Sequence, residues 1–321
     1  MVSKSGWPLI GVAHASYSLG DALSERGFDR PCFEVRSREE LAARIGEVDV
    51  LVVSSLWRNE MLGAASRLRF IQTASSGVDN FDLHALAARN IRLANSRGVA
   101  ARAVAEHALA LMLSFTRQTH LARDRQHQRK WRPLITNRSR REDELDGKTM
   151  LIIGAGAIGS ELAQIARNGF RMHTIGLRRH PESSDAFDVV APIVDLAQHL
   201  PKADVVVLTC PLTEATRGII GAAELALMRV GAILINVGRG GLVDEAALVD
   251  ALASGHLSGA GLDCLETEPL PSTSPLWAIE QVVITPHSAG ETRAYEARVV
   301  DLLIDNLQRL AGTQRLRNEL V

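Results

Sequence analysis

The chain alternates between short apolar runs and longer amphipathic segments. The runs are rich in Val, Ile and Leu, and the segments between them carry apolar residues at helical spacing. Parallel strands covered by helices on both faces of a sheet produce this pattern, because such strands are buried on both sides. The pattern therefore predicts an α/β fold.

The predicted strands fall into two groups, each with the alternation of a doubly wound parallel sheet. The first group comprises residues 9–13, 32–35, 49–54, 70–74 and 92–94, with helices such as 39–45 and 83–88 between them. The second group comprises residues 150–153, 172–176, 205–208, 233–237, 259–262 and 282–285. Two doubly wound lobes are therefore expected.

The region between the two groups has a different character. Residues 100–130 follow a helical pattern that is first apolar and then densely charged, which predicts one long linking helix. Residues 137–146 are charged and have no hydrophobic period, which predicts an exposed loop.

Composition excludes several classes of protein. A chain of 321 residues with 46% hydrophobic and 23% charged residues is typical of compact globular domains. The net charge of -1 provides no cationic excess, so neither nucleic acid nor an anionic membrane is an expected partner. No run reaches the ~18 apolar residues of a membrane span, and the N-terminus lacks an apolar run of signal-peptide length.

The cysteines point to a reducing compartment. Cys32, Cys210 and Cys264 are odd in number, far apart and without a CxxC pair, so a cytoplasmic location is predicted. The sequence also has no HExxH motif and no grouped Cys, His and Asp set, so no metal is predicted.

Residues 154–159 read GAGAIG and lie between the apolar strand MLII and the helical segment SELAQIARNG. Glycines in this setting let the backbone amides of a helix N-terminus approach a pyrophosphate closely. A tight turn that binds nothing is the alternative, and the flanking strand and helix favour dinucleotide binding. The predicted cofactor contacts in this turn are Gly154, Gly156, Ala157, Ile158 and Gly159.

The end of the next predicted strand reads Gly176-Leu177-Arg178-Arg179. An NAD-binding version of this arrangement places Asp or Glu there to hold the ribose hydroxyls. Two arginines favour a 2′-phosphate instead, because a guanidinium binds phosphate in a bidentate manner. We therefore predict NADP(H) as the preferred cofactor, with NAD(H) possible. A solvated surface loop is the alternative interpretation of the two arginines.

Three further motifs follow predicted strands, namely NVGRGG with Arg239, DCLETEPL with Glu268 and TPHSAG with His287. Because ligands bind beyond the carboxyl ends of strands in open α/β sheets, these side chains are predicted to converge. Each has an ordinary alternative: a loop arginine, a turn before proline, or one of ten histidines. Their joint occurrence favours a catalytic set, whereas His14 and His107 are interpreted as packed or surface residues.

Taken together, the segments GAGAIG, VGRGGLVDEAAL, LDCLETEPL and ITPHSAG resemble the signatures of the D-isomer-specific 2-hydroxyacid dehydrogenase family. The segments AVAEHALALML and TCPLTEATRGII extend the resemblance over most of the chain. It implies a discontinuous, flavodoxin-like substrate domain of residues 1–97 plus 288–321, which includes a C-terminal helix at 293–310. Residues 98–287 would form a Rossmann NAD(P)-binding domain.

The resemblance also implies roles for individual residues. Arg239 would hold the substrate carboxylate and polarise the carbonyl, His287 would exchange the proton, and Glu268 would orient His287. Asp263 would accept from the nicotinamide amide. Further cofactor contacts are implied for Cys210, Pro211, Thr216, Val237, Gly238, Arg239, His287 and Gly290. Substrate contacts are implied for Leu56, Trp57, Ser76, Gly77, Val78, Arg239 and His287, although Trp57 is open to a core interpretation.

Within the family, the double arginine and small-residue pocket favour NADP(H)-dependent reduction of glyoxylate or hydroxypyruvate. Phosphoglycerate dehydrogenase-like activity and a nucleotide-sensing, corepressor-like binding protein are the alternatives. Formate dehydrogenases of this fold pair their histidine with glutamine, so Glu268 argues against that activity. The long helix from Ala100 resembles the family's dimer-forming arm, which implies a homodimer acting on a small 2-keto or 2-hydroxy acid.

Overall fold

A computed structural model describes residues 8–321 of the chain. The first seven residues, with which the predicted substrate domain begins, lie outside the described residues. The chain divides into two compact units, one formed by Met1–Ala100 with Thr292–Val321 and the other by Ala101–Glu291. Each unit contains one parallel sheet covered by helices, so the predicted α/β class with two doubly wound lobes is confirmed.

The first unit is built on a five-stranded sheet in the order β2-β1-β3-β4-β5. Its strands pair in parallel along the whole sheet. Ser37 and Asp82 cap two of its helices by accepting a backbone N–H in the first turn. The elements are β1 (Ile10–Ala13), α1 (Leu19–Glu25), β2 (Cys32–Val35), α2 (Arg38–Arg44), β3 (Val50–Val53), β4 (Phe70–Thr73), α3 (Leu83–Ala88) and β5 (Arg92–Ala94).

The second unit is built on a seven-stranded parallel sheet in the order β12-β11-β10-β9-β6-β7-β8. The elements are α4 (Ala101–Thr116), α5 (Thr119–His127), β6 (Thr149–Ile153), α6 (Ala157–Phe170), β7 (His173–Arg178), β8 (Val189–Pro192), α7 (Leu196–His199), β9 (Val205–Leu208), α8 (Ala222–Leu227), β10 (Ala232–Asn236), α9 (Glu245–Ala253), β11 (Leu257–Leu262) and β12 (Val282–Ile284). The strand order reverses between β6 and β9, which opens a crevice at their carboxyl ends.

Short 3-10 turns join several of these elements, and helix α10 (Tyr295–Ala311) returns the chain to the first unit. The apolar face of α10 packs on the first sheet through residues such as Val299 and Leu303. None of the helices within residues 8–321 is long and apolar enough to cross a membrane.

The structure corrects two predictions. Strand β8 was not predicted, because its short apolar run ends in Pro192, and proline is tolerated there only since the strand lies at the sheet edge. The predicted single helix over 100–130 is two helices, since Gln118 adopts a left-handed conformation with φ of 50° and interrupts it. The segment 137–146 is a loop with one 3-10 turn, Arg138–Arg140, as predicted.

Helix α4 packs closely on strand β11, which is relevant to the site below. A Cβ at Gly259 would lie 2.5 Å from Phe115 Cδ1, and one at Gly261 would lie 3.0 Å from Leu111 Cβ. The glycines of β11 therefore let the helix approach the sheet more closely than larger residues would allow. This contact fixes α4 against the strand that leads into Asp263.

Candidate active site

The predicted functional residues of the second unit gather at one edge of its sheet. The glycine turn follows β6, Cys210 follows β9, Arg239 follows β10, Glu268 follows β11 and His287 follows β12. Because these strands are parallel, their carboxyl ends lie at the same edge. The topology therefore brings together motifs that are up to 133 residues apart, from Gly154 to His287.

The glycine turn has the tight geometry that its sequence predicts. Gly154 has φ of +115°, and a Cβ there would lie 2.5 Å from the backbone nitrogen of Cys210. A Cβ at Gly159 would lie 2.5 Å from the carbonyl oxygen of Gly154. Gly156 is different, since a Cβ there would meet nothing within 4 Å. Gly154 and Gly159 are thus required by packing, whereas Gly156 leaves open space at the start of α6.

The N-terminus of α6 is suited to an anion. No side chain caps it, and its first turn contains no acidic residue. The free N–H groups and the helix dipole there favour a negatively charged ligand, and this end of the helix follows the glycine turn directly. The residues present therefore fit the pyrophosphate of a dinucleotide.

Arg178 ends strand β7, and Arg179 follows it on the surface. The acidic group paired with Arg178 is Glu182, whose Oε2 lies 4.0 Å from Arg178 Nη2 and whose side chain is 78% exposed. An exposed ion pair of this length contributes little to stability, so the Arg178 guanidinium can exchange the Glu182 carboxylate for another anion.

Arg239 lies on a loop that packs backbone to backbone on the loop carrying Glu268. A Cβ at Gly240 would lie 1.9 Å from the carbonyl carbon of Leu265 and 2.3 Å from the amide nitrogen of Glu266. Only glycine allows this approach, because any side chain at 240 would push the two loops apart. The position of Arg239 relative to Glu268 therefore depends on Gly240.

Asn236 organises the same loop. Its Nδ2 donates to the Arg239 carbonyl at 2.9 Å, and its Oδ1 accepts from Gly238 N at 3.1 Å. The Arg239 side chain donates through Nη1 to the Gly238 carbonyl at 2.7 Å. Among residues 8–321 no other hydrogen-bond partner engages the guanidinium, so its remaining donors can bind a planar carboxylate in the bidentate manner.

Glu268 and His287 form a hydrogen-bonded pair. His287 Nδ1 lies 2.8 Å from Glu268 Oε2, and the two side chains are 44% and 37% exposed. The second oxygen of Glu268 accepts from Leu265 N at 2.9 Å, which fixes the carboxylate in its own loop. Because Nδ1 faces the carboxylate, Nε2 of His287 is the ring nitrogen that remains to meet a substrate.

The backbone of His287 is held in an uncommon conformation. Its φ of 54° lies in the left-handed region, which histidine enters at some cost. Asp263 stabilises this turn, since Oδ1 accepts from Ser288 N at 2.9 Å and Oδ2 accepts from Ala289 N at 3.1 Å. Asp263 is 2% exposed, so its carboxylate is occupied inside the protein, and its contact with a nicotinamide amide stays a prediction.

Cys264 lies under the Glu268–His287 pair and was not assigned a role from sequence. One ligand atom from each of these three residues lies within 4.8 Å of the others, a grouping with the residue types of a metal site. Burial raises the pKa of the Cys264 thiol to about 12, so it is protonated near neutral pH. The prediction of no metal stays a prediction.

The other residues predicted to contact the cofactor lie in loops after the strands of the second unit. Thr216 donates to the Pro211 carbonyl at 2.7 Å and accepts from Thr213 N at 2.8 Å, so its hydroxyl organises the loop after β9. Burial raises the pKa of the Cys210 thiol to about 11. Contacts of these residues with an adenosine stay predictions, as do those of the buried Val237 and Gly238 and the half-buried Gly290.

The first unit contains the residues that are predicted to contact the substrate. Trp57 is fully buried in the core of that unit, where its ring stacks on Phe81 at 5.7 Å between centroids. This burial favours the core interpretation of Trp57, and its contact with a substrate stays a prediction. Leu56 belongs to the same cluster, whereas Ser76 is exposed and Gly77 and Val78 are half-buried.

Comparison with known proteins identifies the family. A family model described as "D-isomer specific 2-hydroxyacid dehydrogenase, NAD binding domain" matches residues 109–289, more than half of the chain. The chain is 39% identical over 272 residues to glyoxylate/hydroxypyruvate reductase B of Citrobacter koseri, covering 84% of this chain and 83% of that protein. The chain belongs to the D-isomer-specific 2-hydroxyacid dehydrogenase family, and it is an oxidoreductase that acts on CH–OH groups with NAD(P).

A second group of relatives has a different activity. D-3-phosphoglycerate dehydrogenase of Mycobacterium bovis is 35% identical over 283 residues, or 88% of this chain. The match covers 52% of that protein, so the chain spans about half the length of this relative. The two groups of relatives are similarly close, and they agree on the family rather than on one substrate.

Solved structures match the whole fold. A D-isomer specific 2-hydroxyacid dehydrogenase family protein from Aeromonas salmonicida has a TM-score of 0.85 at 30% identity and covers 98% of each chain. A family member from Xanthobacter autotrophicus, solved with NADPH and MES, has a TM-score of 0.81 at 25% identity and covers 98% of each chain. Recognition of the family from its sequence motifs is therefore confirmed.

Proposed function

We propose that this protein reduces a small 2-keto acid, glyoxylate or hydroxypyruvate, with NADPH. The observation that carries the proposal is the 2.8 Å pair between His287 Nδ1 and Glu268 Oε2, beside the loop that holds Arg239. Reduction of a 2-keto acid adds a hydride to the carbonyl carbon and a proton to its oxygen, so the products are the 2-hydroxy acid and oxidised nucleotide.

Arg239 is the proposed substrate anchor. The donors that its guanidinium retains match the two oxygens of a carboxylate. A cation beside the neighbouring keto oxygen also stabilises the negative charge that develops there as the carbonyl is reduced. The arginine thus serves both binding and polarisation, which a lysine would perform with less geometric control.

His287 is the proposed proton donor for reduction and acceptor for oxidation. Glu268 holds Nδ1, so the hydrogen bond fixes the orientation of the ring and leaves Nε2 toward the substrate. The Leu265 amide in turn holds Glu268. The pair delivers the proton to the new hydroxyl oxygen from Nε2.

The nicotinamide supplies the hydride when the cofactor is bound, and the residues around the glycine turn are proposed to hold it. The amides at the start of α6 would bind the pyrophosphate, and Arg178 and Arg179 the 2′-phosphate. We assign the second unit as the cofactor domain and the first as the substrate domain. A homodimer fits the segment after α5, where Trp131 is 98% and Leu134 93% exposed.

Oxidation of 3-phosphoglycerate is the second candidate, and the 35% identity to a dehydrogenase of that substrate supports it. The same residues would run the reaction in reverse, with His287 accepting the proton. A nucleotide-sensing binding protein is the third candidate, and the complete pairing of Glu268 with His287 argues against it.

The absorbance of the reduced nucleotide tests these candidates directly, because it falls when a keto acid is reduced and rises when 3-phosphoglycerate is oxidised. Purified protein is mixed with glyoxylate or hydroxypyruvate, and NADPH and NADH are compared. In the oxidative direction it is mixed with 3-phosphoglycerate, and the two oxidised nucleotides are compared. We expect turnover of a keto acid with NADPH favoured in kcat/KM. Replacing Arg178 and Arg179 with serine should remove that preference while turnover with NADH persists. Turnover of 3-phosphoglycerate with no turnover of either keto acid would reject the proposal. The absence of turnover with all three substrates would also reject it.

A further inference from the structure

A second histidine is linked to the catalytic turn from the opposite side. His107 lies in α4 and its side chain is 22% exposed, and its Nε2 lies 2.9 Å from Thr285 Oγ1. The Thr285 hydroxyl donates its one hydrogen to Asp263 Oδ1 at 2.6 Å. The hydroxyl must therefore accept from His107, so Nε2 of His107 carries a hydrogen.

These hydrogen bonds involve residues on both sides of His287 in the sequence. Thr285 precedes His287 by two residues, and its carbonyl accepts from His287 N at 2.9 Å. Asp263, which receives the Thr285 hydrogen, accepts from Ser288 N directly after His287. His107 thus completes a chain of hydrogen bonds around the left-handed turn at His287.

Because His107 lies on helix α4, it is a rigid donor for this chain of hydrogen bonds. The helix has 16 residues and packs against the glycines of β11 through Leu111 and Phe115. Thr285, by contrast, lies on the loop after β12, and His287 has no helix or strand of its own. A donor on a rigid helix restrains a loop better than one on another loop, because the helix cannot follow the loop's motion.

We propose that His107 is a positioning residue, which holds the catalytic turn of His287 through Thr285 and Asp263 and does not touch the substrate. The inference rests on the proposed function for its kinetic consequence. Without the His107 donor, the Thr285 hydroxyl loses one of its two partners, and only its own bond to Asp263 is left to hold it. The carboxylate then holds the Ser288 and Ala289 amides less firmly, and His287 moves relative to Glu268.

The test compares one replacement of His107 that keeps a side-chain N–H donor with one that has no polar group. His107→Gln retains an N–H at a similar reach, and His107→Leu removes it. We expect His107→Leu to lower kcat about tenfold with little change in the KM for keto acid, since a small misplacement of a catalytic group costs rate. His107→Gln should stay near wild type. Thr285→Val should match His107→Leu, and the double variant should lose no more than either single variant.

A second readout does not depend on turnover. Hydrogen exchange of the peptide over residues 282–291 reports the Ser288 and Ala289 amides, and we expect it to be about tenfold faster in His107→Leu. His256→Leu is the matched control, because His256 also forms one hydrogen bond, to the Met228 carbonyl at 3.0 Å, away from this turn. It should change neither readout.

The outcomes separate the inference from the proposed function. Faster exchange in His107→Leu with wild-type exchange in His107→Gln supports the positioning role, even if no keto acid is turned over. Wild-type exchange in His107→Leu would overturn it. Equal damage from His107→Gln and His107→Leu would also overturn it, since the hydrogen bond would then not be what matters.

Discussion

Replacing Gly240 with alanine should disable the site, because the added methyl group meets backbone rather than side chain. The new Cβ would lie 1.9 Å from Leu265 C, 2.0 Å from Leu265 O and 2.3 Å from Glu266 N. Carbon atoms pack at roughly 3.5 Å, so the Arg239 and Glu268 loops would have to separate by roughly 1.5 Å.

The magnitude follows from that displacement. A misplacement of about 1 Å costs on the order of 100-fold in rate, so kcat/KM for a keto acid should fall by at least about 100-fold. Overpacking costs about 1–3 kcal/mol, and a domain of this size loses about 2–4 °C in Tm for each kcal/mol. The variant should therefore fold with a modestly lower Tm and very low activity.

The neighbouring glycine provides the control. A Cβ at Gly241 would lie 3.2 Å from Leu212 Cδ2, the end of a side chain that can move aside. Gly241→Ala should keep kcat/KM within about twofold of wild type. The assay is keto-acid reduction followed by nucleotide absorbance, with Tm measured in parallel. Wild-type activity and Tm in Gly240→Ala would refute the backbone contact and the argument built on it.

The remaining predictions concern the glycine turn and the buried thiols. Gly156→Ala should leave Tm unchanged, because its Cβ meets nothing within 4 Å, yet weaken nucleotide binding about tenfold by occupying the space that a pyrophosphate approaches. Gly154→Ala should lower Tm, since φ is +115° and the Cβ would lie 2.5 Å from Cys210 N. Calorimetry and nucleotide titration check both glycine variants. The same Tm in Gly154→Ala and Gly156→Ala would contradict the predicted difference between the two positions. Iodoacetamide at pH 8 should label the exposed Cys32 and spare Cys264, whose thiol pKa burial raises to about 12. The reactive thiolate of Cys264 forms only as pH approaches that value, so mass spectrometry that found it labelled first would contradict its burial.

Much of the architecture could be predicted because buried parallel strands are recognisable in the sequence as short apolar runs. Strands such as Val205–Leu208 are apolar at every position, as parallel strands covered on both faces must be. Strand β8 is also apolar, but Pro192 within its run argues against a strand, and only the edge position in the sheet makes the proline tolerable. The break at Gln118 was also hidden, because no glycine or proline marks it.

Some residues of the candidate site could be predicted from the sequence and others could not. Arg239, Glu268 and His287 could be selected because each follows a strand in a short motif, and the structure brings Glu268 and His287 into contact. His107 could not be selected, because its partner Thr285 lies 178 residues away and only the packing of α4 on β11 brings them together. Trp57 was ambiguous, since an aromatic residue after a strand suits a core or a pocket, and its burial favours the core.

The most direct test of the central claim is the turnover of His287→Asn. Asparagine tolerates the left-handed backbone at this position, where φ is 54°, and lacks a proton to donate at neutral pH. The account predicts that kcat for keto-acid reduction falls by about 10²–10⁴-fold while the Tm stays near wild type. A variant that reduces the keto acid as fast as the wild-type protein would contradict the assignment of His287 as the proton donor.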